Sequence, residues 1–397
     1  MSYWLQVVVA APAHSSIAGP LTYQSESPLT LGTLVRVPLG RREVLGVVWE
    51  LLADSGALLE MQTRHVAGAL EGLPPLSATW RKLVQFTAAY YQRSLGEVAL
   101  AALPPQLRDL SNVQLARRLK RPVADTSRAP DGQALPTLSP QQAAVLGEFH
   151  ADSRPALLFG ATGSGKTEVY LRAAARVLEL DPAAQVLVMV PEINLTPQLQ
   201  SRFEARFAQL GKERVVALHS GLTPAQRLKS WLAAHAGHAR LVLGTRMAVF
   251  ASMPNLRLIV VDEEHDPSYK QQEGARYSAR DLAVWRGQRE GAKVILGSAT
   301  PSFESWHQSR PAEGDDPGGR YVRLAMPSRI GAGELPAVRL VDMNLQPPKT
   351  VISGALLEAI GQRIARGEQS MIFLNRRGYA PVLACGDCGW KSECPHC

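Results

Sequence analysis

Residues 159–169 read FGATGSGKTEV, and no other stretch constrains the fold of this chain so tightly. They contain Gly160-x-x-x-x-Gly165-Lys166-Thr167, the phosphate-binding P-loop pattern. An apolar run, Ala156-Leu157-Leu158-Phe159, precedes the pattern, and a helix-forming stretch, 168–180, follows it. The glycines let the backbone curl until successive N–H groups point inward at the positive end of a helix. A triphosphate would lie in that nest, against Gly160, Ala161, Thr162, Gly163, Ser164, Gly165, Lys166 and Thr167. Lys166 would reach the β- and γ-phosphates, and the Thr167 hydroxyl would hold Mg²⁺.

Beyond residue 138, short apolar runs at 157–159, 186–190, 215–218, 241–243, 258–261 and 294–296 alternate with helical stretches. This spacing predicts an α/β fold, a parallel sheet with crossover helices. The run at 258–261 ends in Asp262-Glu263-Glu264-His265. Carboxylates at a strand end face the P-loop across the C-terminal edge of such a sheet. Asp262 would anchor Mg²⁺ through its water shell, and Glu263 would position and deprotonate an attacking water; with Lys166 they form the catalytic set. Gly297-Ser298-Ala299-Thr300 follows the next strand, and its hydroxyls could bond the end of the acidic strand. Upstream, Leu138-Ser139-Pro140-Gln141-Gln142 offers an amide to adenine's edge, with Gln142 the candidate.

At 397 residues the chain exceeds one ordinary core. Residues 1–103 read as a small β-rich domain, with strands at 4–10, 34–38 and 44–50. A helix at 78–91 follows, carrying Trp80, Leu83, Val84 and Phe86 along one side. Residues 104–136 read as a linker that opens with a short basic helix, Arg117-Arg118-Leu119-Lys120-Arg121, as compatible with a solvated face as with a nucleic-acid contact. The P-loop domain spans 137–330, and a further unit then begins with a helix at 356–366 and a strand at 371–374.

No run approaches 18 apolar residues, and the N-terminus lacks a basic leader, so the expected location is the cytoplasm. The formal charge of +8 suits a polyanionic partner. All four cysteines, Cys385, Cys388, Cys394 and Cys397, crowd the last thirteen residues as two Cys-x-x-Cys pairs. In a cytosolic chain that spacing suggests tetrahedral zinc, and four thiolates could close one site.

The ordered set GATGSGKT, DEEH and GSAT resembles the superfamily 2 helicases. Between and beyond those motifs, VPEINLTPQ (190–198), HSGL (219–222), GTR (244–246), YKQQEG (269–274) and FLNRRGYAP (373–381) resemble the PriA family of bacterial replication-restart helicases. The resemblance runs through 138–397 and is looser over 1–103, where Arg36-Val37-Pro38-Leu39-Gly40 and Gly46-Val47-Val48 carry it.

That resemblance implies a 3′-end-binding-like DNA-binding domain at 1–103 and a RecA-like, ATP-binding helicase lobe at 137–330. It further implies the start of a second lobe at 331–384 and an incomplete zinc-binding region at 385–397. The implied activity is ATP-dependent 3′-to-5′ DNA translocation, with recognition of stalled or abandoned forks and initiation of primosome assembly. The implied partners are forked and single-stranded DNA, other primosome proteins and single-stranded DNA-binding protein; the implied state is a monomer with no membrane association. Thr245, Arg246 and the Pro191-Glu192 region would line the DNA path. An aromatic-rich loop, 266–285, would couple DNA to hydrolysis through Tyr269, Lys270 and Arg276, with Tyr277, Arg280 and Trp285 nearby; Trp285 fits a core position equally well.

The chain departs from the family in three places. Leu21-Thr22-Tyr23 stands where Phe-Asp-Tyr is frequent, which weakens the acceptor for a terminal 3′-hydroxyl. Residues 104–137 are too few for the family's winged helix. In the family eight cysteines bind two structural zincs; on that pattern Cys385 and Cys388 serve one, and Cys394 and Cys397 the other, each site half made. The expectation is therefore a fragment that binds nucleotide and DNA weakly and hydrolyses ATP poorly. A non-catalytic fork-binding scaffold and another superfamily 2 nucleic-acid motor are the alternatives.

Overall fold

The computed structural model describes residues 3–10, 19–53, 63–119, 135–191, 196–330, 337–347, 350–374 and 388. The chain divides into two units, Met1–Gly333 and Glu334–Cys397.

The first unit opens with six strands: β1 (Tyr3–Val9), β2 (Leu21–Ser25), β3 (Leu34–Leu39), β4 (Arg42–Leu52), β5 (Arg64–His65) and β6 (Gly68–Ala69). They form a sheet in the order β5-β2-β1-β4-β3-β6, antiparallel except where β2 meets β5. Successive strand residues point to opposite faces. Leu5, Val7 and Val9 therefore pack with Val35, Val37 and Val48, while Val8 packs with Val47 and Trp49 on the other side. That second face is covered by α1 (Ala78–Tyr90) and α2 (Leu95–Ala101), with α3 (Asn112–Leu119) beyond. Ser77 caps α1 by accepting the Trp80 N–H, and Trp80, Leu83, Val84, Thr87 and Ala88 form its buried stripe.

The α/β part follows in alternation: α4 (Pro140–Ala151), β7 (Ala156–Gly160), α5 (Lys166–Leu180), β8 (Gln185–Met189), α6 (Thr196–Arg206) and β9 (Val215–Leu218). It continues with α7 (Pro224–His235), β10 (Leu241–Gly244), β11 (Leu256–Val261), α8 (Ala279–Glu290), β12 (Lys293–Ser298), α9 (Phe303–Gln308) and β13 (Val322–Met326). All seven strands are parallel, in the order β13-β7-β12-β11-β8-β10-β9. Helices cover both faces, so β8 is buried throughout and reads as a near-continuous apolar run. The P-loop strand β7 and the acidic strand β11 flank β12 and end on the same edge. A small β-rich part ahead of a parallel P-loop lobe is the architecture expected from the sequence. Strand β13, which adds to β7 at the sheet edge, was not foreseen, although Val322, Leu324 and Met326 alternate as a strand face would.

The two parts of this unit share a continuous apolar core. Trp80 of α1 is 1% exposed, and its Nε1 donates to Phe250 O at 2.8 Å. Phe86 stacks on Trp285 with ring centroids 4.6 Å apart, so Trp285 is a packing residue. His235 of α7 donates from Nε2 to Pro74 O at 2.7 Å, which leaves Nδ1 to accept from Ser252 Oγ at 2.8 Å. Burial pushes the His235 imidazole down to about 4, so it stays neutral.

In the second unit α10 (Gly354–Ala365) is capped by Ser353, and its Leu356, Leu357 and Ile364 are exposed. Residues 371–374, expected as a strand, are exposed and form no strand among the described residues. A strand requires a ladder partner for its N–H and C=O groups, and none exists among the described residues of this unit.

Candidate nucleotide site and nucleic-acid groove

The loop after β7 has the backbone that its glycines predict. Gly163 and Gly165 adopt φ of +84° and +87°, a region L side chains rarely enter. Gly165 also serves as N-cap of α5 and supplies no side-chain cap. The first N–H groups of α5 therefore lack the side-chain acceptor that most caps provide. Ser164 Oγ is buried in this turn without a hydrogen-bond partner among the described residues. Lys166 is 8% exposed, and its Nζ donates to Gly160 O at 2.9 Å. Thr162, Gly163, Gly165, Lys166 and Thr167 line one groove of about 1770 Å³ together with Asp262 and Glu263. Sheet order thus brings the P-loop and the acidic strand end to a common space.

Asp262 is held from several directions. Its N–H donates to Met189 O at 2.9 Å, its carbonyl accepts from Tyr269 Oη at 2.7 Å, and its Oδ1 accepts from Tyr170 Oη at 2.9 Å. Burial pushes the Asp262 carboxyl up, and the neighbouring Glu263 adds to this; Tyr170 and Lys166 oppose it. Burial, reinforced by Asp262, keeps the Tyr170 hydroxyl well above its ordinary range, so it remains a donor. Glu263 turns the chain with φ of +45°, an unusual value for a non-glycine residue. His265 Nδ1 lies 2.7 Å from Ser298 Oγ and 3.6 Å from Glu263 Oε2, and its Nε2 lies 3.4 Å from Thr300 Oγ1. The Ser298 and Thr300 hydroxyls thus meet the acidic strand end through His265.

Two buried polar residues beside the site escaped sequence reasoning. Tyr170 was hidden among the apolar positions of α5. Glu264, 1% exposed, accepts from Ser302 N at 2.7 Å, Ser302 Oγ at 3.0 Å, Ser305 Oγ at 2.8 Å and Arg280 at 3.3 Å. It ties the acidic strand to the start of α9 and to α8. The available signal was the run of hydroxyls just after Thr300, which supplies donors for a buried carboxylate.

Gln142 has a structural role in this fold. It is 2% exposed, and both ends of its amide are engaged: Oε1 accepts from Ser139 N at 2.8 Å and Nε2 donates to Gly165 O at 3.2 Å. Ser139 and Gln142 form a reciprocal capping box that starts α4. Gln142 therefore braces the P-loop from behind. On the rim of the groove, Glu168 bonds Arg206 at 2.6 Å and Arg172 at 2.9 Å. Burial raises the Glu168 carboxyl, but these two arginines outweigh it and hold it below the usual range.

The residues expected to meet DNA divide into two groups. Thr245 and Arg246, at the end of β10, line a second groove of about 480 Å³ with His219, Arg227, Trp231 and Pro191. Among the described residues no Asp or Glu lines it, and His219 Nδ1, Arg227 Nε, Trp231 Nε1 and Arg246 Nε are buried without described partners. Arg246 also donates to Ser268 O at 2.8 Å and Lys270 O at 3.1 Å, fixing the following loop. Lys270 and Arg276 are exposed, and Lys270 Nζ sits 5.2 Å from the Tyr91 ring centroid. Tyr269, expected to stack on a base, is instead 2% exposed and backs Asp262. Its apolar ring belongs to the core because its hydroxyl finds a buried carbonyl there. Tyr277 is buried as well, and Arg280 is spent on Glu264 and Asp281.

Several expected positions lie outside the described residues. Glu192 is one. Cys385, Cys394 and Cys397 are others, while Cys388 is described and exposed. Among the described residues no cluster of three or more His, Cys, Asp or Glu could hold a metal, and no helix is long and apolar enough to cross a membrane. Lys120 and Arg121 of the basic segment also lie outside them.

This fold and site define a helicase lobe of the P-loop class. The family model for DEAD/DEAH box helicases matches residues 139–308, and that for the 3′ DNA-binding domain matches residues 6–104. The replication restart protein PriA of Haemophilus influenzae is 44% identical over 263 residues, covering 66% of this chain and 34% of that protein. Its counterpart from Bacillus subtilis is 41% identical over 244 residues, 61% of this chain and 29% of that protein. The PriA protein of Rickettsia conorii is 33% identical over 383 residues, 95% of this chain and 55% of that protein. The chain belongs to the PriA family of replication restart proteins, and it spans between about a third and about half of the length of these relatives.

Proposed function

We propose that the chain carries the ATP-hydrolysing core of a 3′-to-5′ DNA helicase that recognises stalled or abandoned replication forks and initiates primosome assembly. The observation that supports this most is the shared groove of Lys166, Thr167, Asp262 and Glu263 behind an uncapped helix start. ATP is the substrate, and Mg²⁺ would supply neutralisation of charge on the β- and γ-phosphate oxygens. The donor set suits both: orphan N–H groups and Lys166 for the phosphates, the Thr167 hydroxyl and Asp262 carboxylate for the metal.

In this reading Lys166 exchanges its bond to Gly160 O for a γ-phosphate oxygen. Glu263 takes the proton of the attacking water, the role of a general base. His265 relays the state of that end of the sheet to Ser298 and Thr300. Single-stranded DNA would cross the groove of Thr245 and Arg246 and meet Lys270 and Arg276, with backbone contacts setting affinity and salt dependence. The two Cys-x-x-Cys pairs support structural zinc in the complete site, and the relatives' restart role supports forked DNA, single-stranded DNA-binding protein and other primosome proteins as partners, in the cytoplasm.

The test is ATP hydrolysis without nucleic acid, with forked DNA and with an RNA duplex of equal length, in wild type and Lys166→Ala. Stimulation by the fork that vanishes in Lys166→Ala is the expected result. Equal stimulation by RNA would move the protein to another class of superfamily 2 motor. Fork binding with no Lys166-dependent turnover would make it a scaffold.

A further inference from the structure

The mechanism leaves one buried polar group beside Asp262 without a role. Tyr170 stands four residues after Lys166 in α5, so both project from one helix face toward the acidic strand. Tyr170 has no exposed surface, and its hydroxyl donates to Asp262 Oδ1 at 2.9 Å. The space for this contact is kept open by Gly297 in β12, where an added Cβ would overlap the Tyr170 hydroxyl. The main chain of Asp262 is already fixed on both sides, by Met189 O and by Tyr269 Oη. What remains to be set is the rotation of its carboxylate, which the Glu263 backbone N–H and the Tyr170 hydroxyl both bond; Tyr170 is the side chain that grips it.

We infer that Tyr170 is a positioning residue: its hydrogen bond sets the orientation in which the Asp262 carboxylate meets the Mg²⁺ of a bound nucleotide. The inference rests on the nucleotide reading of the groove. A carboxylate that bears a metal, directly or through water, depends on the outer partner that orients it, and loss of such a partner typically costs about 10–100-fold in metal affinity. The same bond joins the P-loop helix to the acidic strand across β12, so the phosphate-binding and metal-binding halves of the site are aligned by one hydroxyl.

The experiment is binding of a ribose-labelled fluorescent ATP to the whole chain, titrated with Mg²⁺, in wild type, Tyr170→Phe, Gly297→Ala and Lys166→Ala. Tyr170→Phe removes only the hydroxyl, and its thermal unfolding is recorded alongside. The expected result is near wild-type affinity without Mg²⁺, with the Mg²⁺ concentration for half-maximal tightening raised about tenfold or more. Gly297→Ala, which displaces the hydroxyl from the other side, should show the same shift and carries the test if Tyr170→Phe does not fold. In an Asp262→Ala background Tyr170→Phe should have no further effect. An unchanged Mg²⁺ dependence in both variants, or an effect that persists without Asp262, overturns the role of Tyr170. Binding that is indifferent to Lys166→Ala overturns the nucleotide reading itself, a separate outcome.

Discussion

The C-terminal edge of the parallel sheet and the seam between the N-terminal part and the P-loop lobe are built on opposite plans. At the edge, each functional group comes from a short local segment: a strand end, a tight turn, a helix start. Lys166 bonds Gly160 O, six residues away. At the seam, each fastening joins residues far apart in the chain. Trp80 reaches Phe250 O across 170 positions, His235 reaches Pro74 O across 161, and Tyr91 Oη accepts Ser278 N–H across 187. The edge holds strained, uncapped and unpaired groups, while the seam is apolar and hydrogen-bonded. Groups left unsatisfied are ready for a ligand; groups satisfied internally hold the parts together. Stability should therefore reside at the seam, and ligand response at the edge.

The largest expected effect on stability comes from Trp80→Ala. Removing a fully buried aromatic ring costs about 3–5 kcal/mol, and Phe250 O loses its donor as well. Denaturant unfolding of the Met1–Gly333 unit measures it, and a loss below ~1 kcal/mol would break the contrast. Acid should weaken the seam next. His235 is held neutral, with its folded value about 4 against 6.5 for a free imidazole. The unfolded chain binds the proton first, so this contribution is whole above pH 6.5 and is lost as pH falls from 6.5 toward 4, about 3 kcal/mol in all. Unfolding midpoints across that window, compared with His235→Gln, isolate the effect; a variant with the same pH slope as wild type would contradict it.

The edge should yield smaller changes in stability. Gln142→Ala removes one half of a capping box and the brace on Gly165 O, for a loss of about 1 kcal/mol. Nucleotide affinity should fall with it, which equilibrium binding can check. Lys166→Ala should shift stability least, by no more than about 1 kcal/mol, yet abolish nucleotide response. A large destabilisation there would mean that the P-loop is part of the scaffold.

This division also explains what could be read from the sequence. The P-loop, Asp262 and Glu263 were legible because their chemistry demands fixed spacing within one strand–turn–helix unit. The strands of the parallel sheet were legible because burial on both faces makes them continuous apolar runs. The capping box of Gln142 was legible from Ser139 three residues earlier, because that backbone role also depends on fixed local spacing. Tyr269 was misread because an aromatic next to lysine looks like a stacking platform, and only the fold shows its hydroxyl on Asp262 O. Tyr170, Trp80 and His235 were illegible as contacts, since nothing in local spacing tells which distant carbonyl or carboxylate a buried hydroxyl or ring nitrogen will find. Residues 371–374 have strand composition, but composition does not supply the neighbour that makes a strand.

The most direct test of the central claim is thermal unfolding of wild type and Lys166→Ala, each with and without Mg²⁺-ATP. A ligand that binds only the folded state raises the midpoint by mass action. The account predicts similar midpoints without ligand, a clear rise with Mg²⁺-ATP in wild type, and no rise in Lys166→Ala. Equal rises in both proteins, or none in wild type, would contradict it.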